Sequence, residues 1–110
     1  METKLINLCP HDITIDIGRG YFVVPKAKKP LRLQEQRSQV DNLDIGSNVV
    51  PVYKMSFALN DKLPNKRRNT YYIVSAVVKQ ACGHRKDIIV PSDLVRNERG
   101  EILGCKSFTV

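Results

Sequence analysis

Two thiol and imidazole pairs stand out first, Cys9-x-His11 and Cys82-x-His84, with Cys105 elsewhere in the chain. Cysteine and histidine are the side chains zinc prefers in tetrahedral sets, but structural sites draw them from closely spaced cysteine knuckles, and no C-x-x-C occurs here. Buried structural thiols beside two loop histidines are the simpler reading, and no metal or cofactor is expected. His11 and His84 are also the only imidazoles. Imidazoles titrate near neutrality, so the two could act as acid and base on a phosphodiester, with Arg85 on the phosphate. No Ser-His-Asp order, HExxH or pair of carboxylates at helical spacing supports other catalysis.

Arg85 and Asp87 lie two residues apart in His84-Arg85-Lys86-Asp87. A planar guanidinium suits bidentate contact with phosphate or carboxylate, so Arg85 reads either as a ligand anchor or as the structural partner of Asp87. A second group is denser in charge. Lys62, Lys66, Arg67 and Arg68, with Lys26, Lys28, Lys29 and Arg32, form a phosphate-binding surface if their two loops converge. Tyr71 and Tyr72 adjoin it, and one ring facing outward would stack on a base.

These residues need elements to hold them. Tyr71-Tyr72-Ile73-Val74 reads as a strand. Ser75 caps a short helix spanning residues 76–82, and Gly83 supplies the left-handed stop. Ile88-Ile89-Val90-Pro91 is a further apolar run, followed by a hairpin around Asn97-Glu98-Arg99-Gly100. Near the start, Leu5-Ile6-Asn7-Leu8 and Ile13-Thr14-Ile15-Asp16-Ile17 are strands, the second alternating with Ile13, Ile15 and Ile17 on one face. Gly18-Arg19-Gly20 turns the chain into Tyr21-Phe22-Val23-Val24. Asp44-Ile45-Gly46-Ser47-Asn48 is a turn, and Val49-Val50-Pro51-Val52-Tyr53 an edge strand because of its internal proline. Glu35 to Asn42 is ambiguous: Gln, Glu and Arg favour helix, while the flanking pattern favours strand.

The expected fold is α+β and mainly β: one domain over residues 1–110, a small sheet or partly open barrel with one short helix. No dinucleotide fingerprint or P-loop is present. No apolar run approaches the ~18 residues of a membrane span, and three widely spaced cysteines argue for reduced thiols. A cytoplasmic protein with no membrane association is expected. The net charge of +7 gives a field that attracts phosphates, which points to an anionic partner, nucleotide or nucleic acid. Self-association is left open.

Four segments carry a resemblance. Ile6-Asn7-Leu8-Cys9-Pro10-His11, Tyr72-Ile73-Val74-Ser75-Ala76-Val77-Val78, Arg85-Lys86-Asp87-Ile88-Ile89-Val90-Pro91 and Val95 to Gly104 resemble, in order, the N-L-T-P-H, Y-I-V-S-A-L-V, R-x-D-L-L-V-P and V-R-D-x-x-G-R-I-x-G patterns of a set of small bacterial and phage-type proteins. Residues 26–68 lie outside the match. The resemblance implies a phage or prophage accessory protein, with a counter-defence role if the ligand is a nucleotide signal. It departs at Cys9, where the pattern has Thr, and at Cys82-Gly83-His84, which weakens zinc. It keeps His11, Ser75, Arg85, Asp87 and Arg96 as polar groups at strand ends where a pocket would form. The leading expectation is a non-enzymatic protein that holds a phosphate-bearing ligand. A small metal-independent phosphodiesterase and an inhibitor of an acidic host protein are the alternatives. A pocket lined by His11, Arg85 and Arg96 would favour a small ligand; a basic stripe over Lys26 to Arg32 and Lys62 to Arg68 would favour a polymer.

Overall fold

The β-branched segments pair as eight strands, and a single short helix interrupts them. A computed structural model describes residues 2–110. In chain order the elements are β1 (Lys4–Asn7), β2 (Ile13–Asp16), β3 (Tyr21–Val24), β4 (Leu33–Ile45), β5 (Asn48–Leu59), β6 (Thr70–Ile73), α1 (Ala76–Gln80), β7 (Ile88–Arg96) and β8 (Ile102–Thr109). Six strands form one mixed sheet in the order β1-β6-β7-β8-β2-β3. The sheet curls into a nearly closed barrel: Asn7 Nδ2 donates to the Val24 carbonyl at 3.2 Å, and the Ala27 amide donates to the Cys9 carbonyl at 3.0 Å. The expected mainly β fold with one short helix is the observed one. Among the described residues no helix is long and apolar enough to cross a membrane.

The uninterrupted apolar runs of β6 and β7 have a direct cause. These strands run parallel to each other, and both of their faces are covered. Ile73 and Ile89 point into the barrel with Cys9, Ile13, Ile15, Val24 and Cys105. Tyr72, Val74 and Ile88 point outward and are covered by Val78 and Cys82 from the α1 region and by Leu31, Leu59 and Leu63. Ser75 caps α1 as expected, its Oγ accepting from the Val78 amide at 3.3 Å. The helix ends two residues earlier than expected, with Ala81 as its cap, and Gly83 follows in the left-handed region at φ +73°.

One further local expectation is corrected, and the ambiguous segment is resolved. β2 stops at Asp16, whose carboxylate accepts from the Gly18 amide at 2.8 Å, so Ile17 falls in the turn and is 53% exposed instead of extending the buried face. The apolar run 88–91 is the first part of β7, which runs on to Arg96 with Pro91 opposite Phe108 of β8. Residues 35–42 are strand. They form most of β4, which pairs antiparallel with β5 over twelve residue pairs from Leu33↔Leu59 to Ile45↔Asn48, with a bulge between Gln39 and Asp41. Gly46, at φ +63°, is the first residue of the two-residue turn between them, where right-handed strand twist demands a positive φ.

This hairpin belongs to no larger sheet. It extends from the barrel as an arm, and the molecule measures 64 × 39 × 23 Å. Its radius of gyration is 18.1 Å, against about 13 Å for a compact domain of this length.

Candidate functional site

The corner between α1 and β7 is built almost entirely from side chains that bond to the chain itself. Lys79, on the last turn of α1, donates through Nζ to the carbonyls of Arg85 at 3.0 Å and Ile88 at 2.8 Å. Arg85 reaches Asp87 by two parallel bonds, Nε to Oδ1 at 3.0 Å and Nη2 to Oδ2 at 2.7 Å. Its Nη1 donates to the Pro64 carbonyl at 2.8 Å, and the guanidinium lies 6.0 Å from the Tyr72 ring centroid. Tyr72 is buried, and its hydroxyl donates to the Asn65 carbonyl at 2.9 Å. Arg85 and Tyr72 therefore tie the basic loop 60–69 to the barrel. Bidentate bonding to Arg85 holds the Asp87 carboxyl below the usual range, and the same bonds push the Arg85 guanidinium upward. The fork that would grip a ligand faces its own carboxylate.

Clamping the inner residues turns their neighbours outward. Lys86, between Arg85 and Asp87, is exposed and meets Lys66 and Arg67 around a recess of about 320 Å³ whose wall includes Tyr71. Tyr72 is buried on the outer face of the sheet under the α1 region and the 60–69 loop, whereas Tyr71, on the other face, is 38% exposed. The tight turn Arg67–Thr70 holds the cations outward: the Thr70 amide and hydroxyl donate to the Arg67 and Arg68 carbonyls, and Asn69 lies in the left-handed region at φ +53°. Lys86 was not among the candidate residues read from sequence. Lys86 stands in the turn before β7, where no local periodicity marks its direction.

The second basic loop meets the first at one junction, where the arm leaves the barrel. Arg32 donates its amide to Asp61 Oδ2 at 3.1 Å and forms a surface ion pair with it at 3.8 Å, while the Asn60 amide donates to the Arg32 carbonyl at 3.0 Å. Lys26, Lys28 and Lys29 are exposed on the same connection, upstream of this junction, and Lys62, Lys66, Arg67 and Arg68 are exposed downstream of it.

The remaining candidate residues sit elsewhere. His11 and Ser75 line a largely apolar groove of about 340 Å³ together with Leu94, Ile102 and Leu103. Ser75 Oγ is engaged by the helix cap there. Arg96 lies in the β7–β8 hairpin and donates to the Gly100 carbonyl at 2.7 Å. His11, Arg85 and Arg96 thus form no common pocket. His84, exposed beyond α1, does not line the His11 groove. Among the described residues no group of three or more His, Cys, Asp or Glu side chains comes together.

All three thiols are free and buried; Cys9 Sγ donates to the Ile73 carbonyl and Cys82 Sγ to the Val78 carbonyl. Burial pushes each thiol pKa up, which suppresses the nucleophilic thiolate. Native protein at neutral pH is therefore expected to leave all three cysteines unmodified by an aromatic disulfide reagent over minutes, and denatured protein to titrate three per chain. Prompt labelling of Cys9 or Cys105 in the native state would contradict their placement.

No protein-family model, curated protein or solved structure matches this chain.

Proposed function

We propose that this protein is a non-enzymatic nucleic-acid-binding module that reads the phosphate backbone. The observation that carries the reading is the segregation of charge. The arm, Leu33 to Leu59, holds Glu35, Asp41 and Asp44 against Arg37 and Lys54, net −1, so the rest of the chain carries +8. A good part of that excess lies on the two joined loops and the recess of Lys66, Arg67 and Lys86. Such a surface suits a polyanion better than a small nucleotide, because the recess is open and its cations are exposed. Tyr71 on its wall offers a face for a base, a contact worth about 1–3 kcal/mol that tolerates any sequence. The phage-type context implied by the resemblance is compatible with such an accessory role.

Fluorescence anisotropy with a labelled 20-nucleotide single strand and a 20-base-pair duplex tests this. Binding is expected at low salt, with log K falling linearly in log salt as counterions are released. Replacing Lys66, Arg67 and Lys86 together by Gln should reduce the magnitude of that slope by about two to three. Tyr71→Ala should weaken single-strand binding with the slope unchanged. Absence of binding to either probe at low salt rejects the proposal, and so does a slope indifferent to the triple substitution.

A further inference from the structure

A two-stranded ribbon alone in water is marginal, and both edges of this one are unpaired. Its composition adds to the problem. Along β5 the alternate residues Val49, Pro51, Tyr53, Met55 and Phe57 share one face, by the strand period of two. Val49 is 63%, Tyr53 42% and Met55 46% exposed. On the same face β4 contributes Arg37, level with Met55, and Asp44, level with Val49. The Arg37 guanidinium already lies over the Tyr53 ring, 3.8 Å from its centroid, which confirms that the two side chains share this face.

We infer that this face is the contact between two copies of the chain, stacked arm on arm and antiparallel about a two-fold axis. The occupant follows from self-complementarity. An axis crossing the arm between Pro51 and Tyr53 sets Tyr53 on Pro51 of the second copy and Met55 on its Val49. The same operation sets the basic Arg37 against the second copy's acidic Asp44, twice, and leaves Glu35 opposite the uncharged Gly46 turn. No other pairing of charges on this face is required. The arm is about 40 Å long, and stacking one face hides roughly 500 Å² per copy, or about 1,000 Å² in all, the lower bound for a specific interface. A reversible dimer in the micromolar range is the scale that such an area suits. The basic loops at the foot of each arm stay free.

Within one arm Arg37 and Asp44 are seven residues apart, roughly 20 Å along the strand, so any coupling between them must act between copies. Sedimentation equilibrium from ~1 to ~200 μM tests the inference. The full chain should pass from its 12.5 kDa monomer mass to twice that. Tyr53→Glu with Met55→Glu should leave a monomer throughout, with the barrel's thermal unfolding retained. Arg37→Asp and Asp44→Arg should each weaken the dimer at least tenfold, and the two combined should restore it to within about threefold. A wild-type monomer at 200 μM overturns the inference, as does a dimer that survives the double Glu variant. A dimer sensitive to Tyr53 and Met55 but without charge-swap rescue overturns the antiparallel arrangement. If the wild type is monomeric and the double Glu variant instead loses nucleic-acid binding, the arm belongs to that ligand and the dimer is rejected.

Discussion

Gly104→Ala is expected to lower stability by about 2–3 kcal/mol, within the range for forcing an extra methyl group into a packed site. Gly104 lies on β8 where that strand crosses beside β2, and a Cβ built there would stand 2.8 Å from the Thr14 carbonyl oxygen and 3.3 Å from Thr14 Cβ. The first atom is backbone and cannot swing away. Relief requires β8 and β2 to separate at the one place where they pair, Ile15↔Cys105, and both of those residues belong to the barrel core. For a chain of this length the loss corresponds to a fall of roughly 8–12 °C in Tm. Thr14→Ala in the same chain should not restore it, because the carbonyl remains. Gly18, Gly46, Gly83 and Gly100 make a useful contrast: each has a positive φ and open space around the missing Cβ, so alanine there meets backbone strain of about 1 kcal/mol without a clash. Thermal melts of Gly104→Ala and Gly100→Ala compare the two costs. Equal losses would mean that the β2–β8 approach is looser than observed.

Arg85→Ala should cost about 2–3 kcal/mol, because it leaves the Asp87 carboxylate partly buried without its bidentate donor and frees the Pro64 carbonyl. The pair is less exposed than an ordinary surface ion pair, with side chains 22% and 14% accessible. Arg85→Lys should recover only part, since a single ammonium cannot occupy both carboxylate oxygens and the Pro64 carbonyl in the same geometry. The pH dependence carries a definite sign. The Asp87 pKa is lowered on folding, so its contribution to stability is complete above the ordinary carboxylate pKa and disappears as pH falls through the lower, folded value. Asp87→Asn should therefore be less stable than the wild type at pH 7, and the gap should narrow on acidification. The raised Arg85 pKa introduces no window near neutrality, because the group is protonated in both states. Urea titrations at pH 7 and at the acid end measure both effects. If Arg85→Ala melted like the wild type while losing anion affinity, Arg85 would be a ligand anchor and not the loop clamp described here.

Arg85 shows where sequence reasoning reaches its limit. Its spacing from Asp87 and the preorganised corner were readable from residues 75–91, and both competing roles for the guanidinium were too. The choice between them depends on Pro64, which is twenty-one residues away in sequence and supplies the third acceptor. The basic loops were equally legible as charge. Their junction depends on Arg32 and Asp61, which the whole length of the arm separates in sequence and the pairing of Leu33 with Leu59 brings together.

Determined by the sequence alone were the elements whose signals are local: the alternation of Ile13 and Ile15, the apolar runs of β6 and β7, the Ser75 cap and the two loops of positive charge. Each depends on backbone preference or side-chain period within a few residues, and tertiary packing has little reason to override such signals when they agree. Only the tertiary structure decided that residues 35–42 are strand, since their propensities are balanced and seven pairings with β5 tip them. It alone decided that Gly104 has no room for a methyl group, that Tyr71 is exposed while Tyr72 is buried, and that Lys86 joins Lys66 and Arg67. Contacts between distant residues settle these questions, and no window of neighbouring residues contains them.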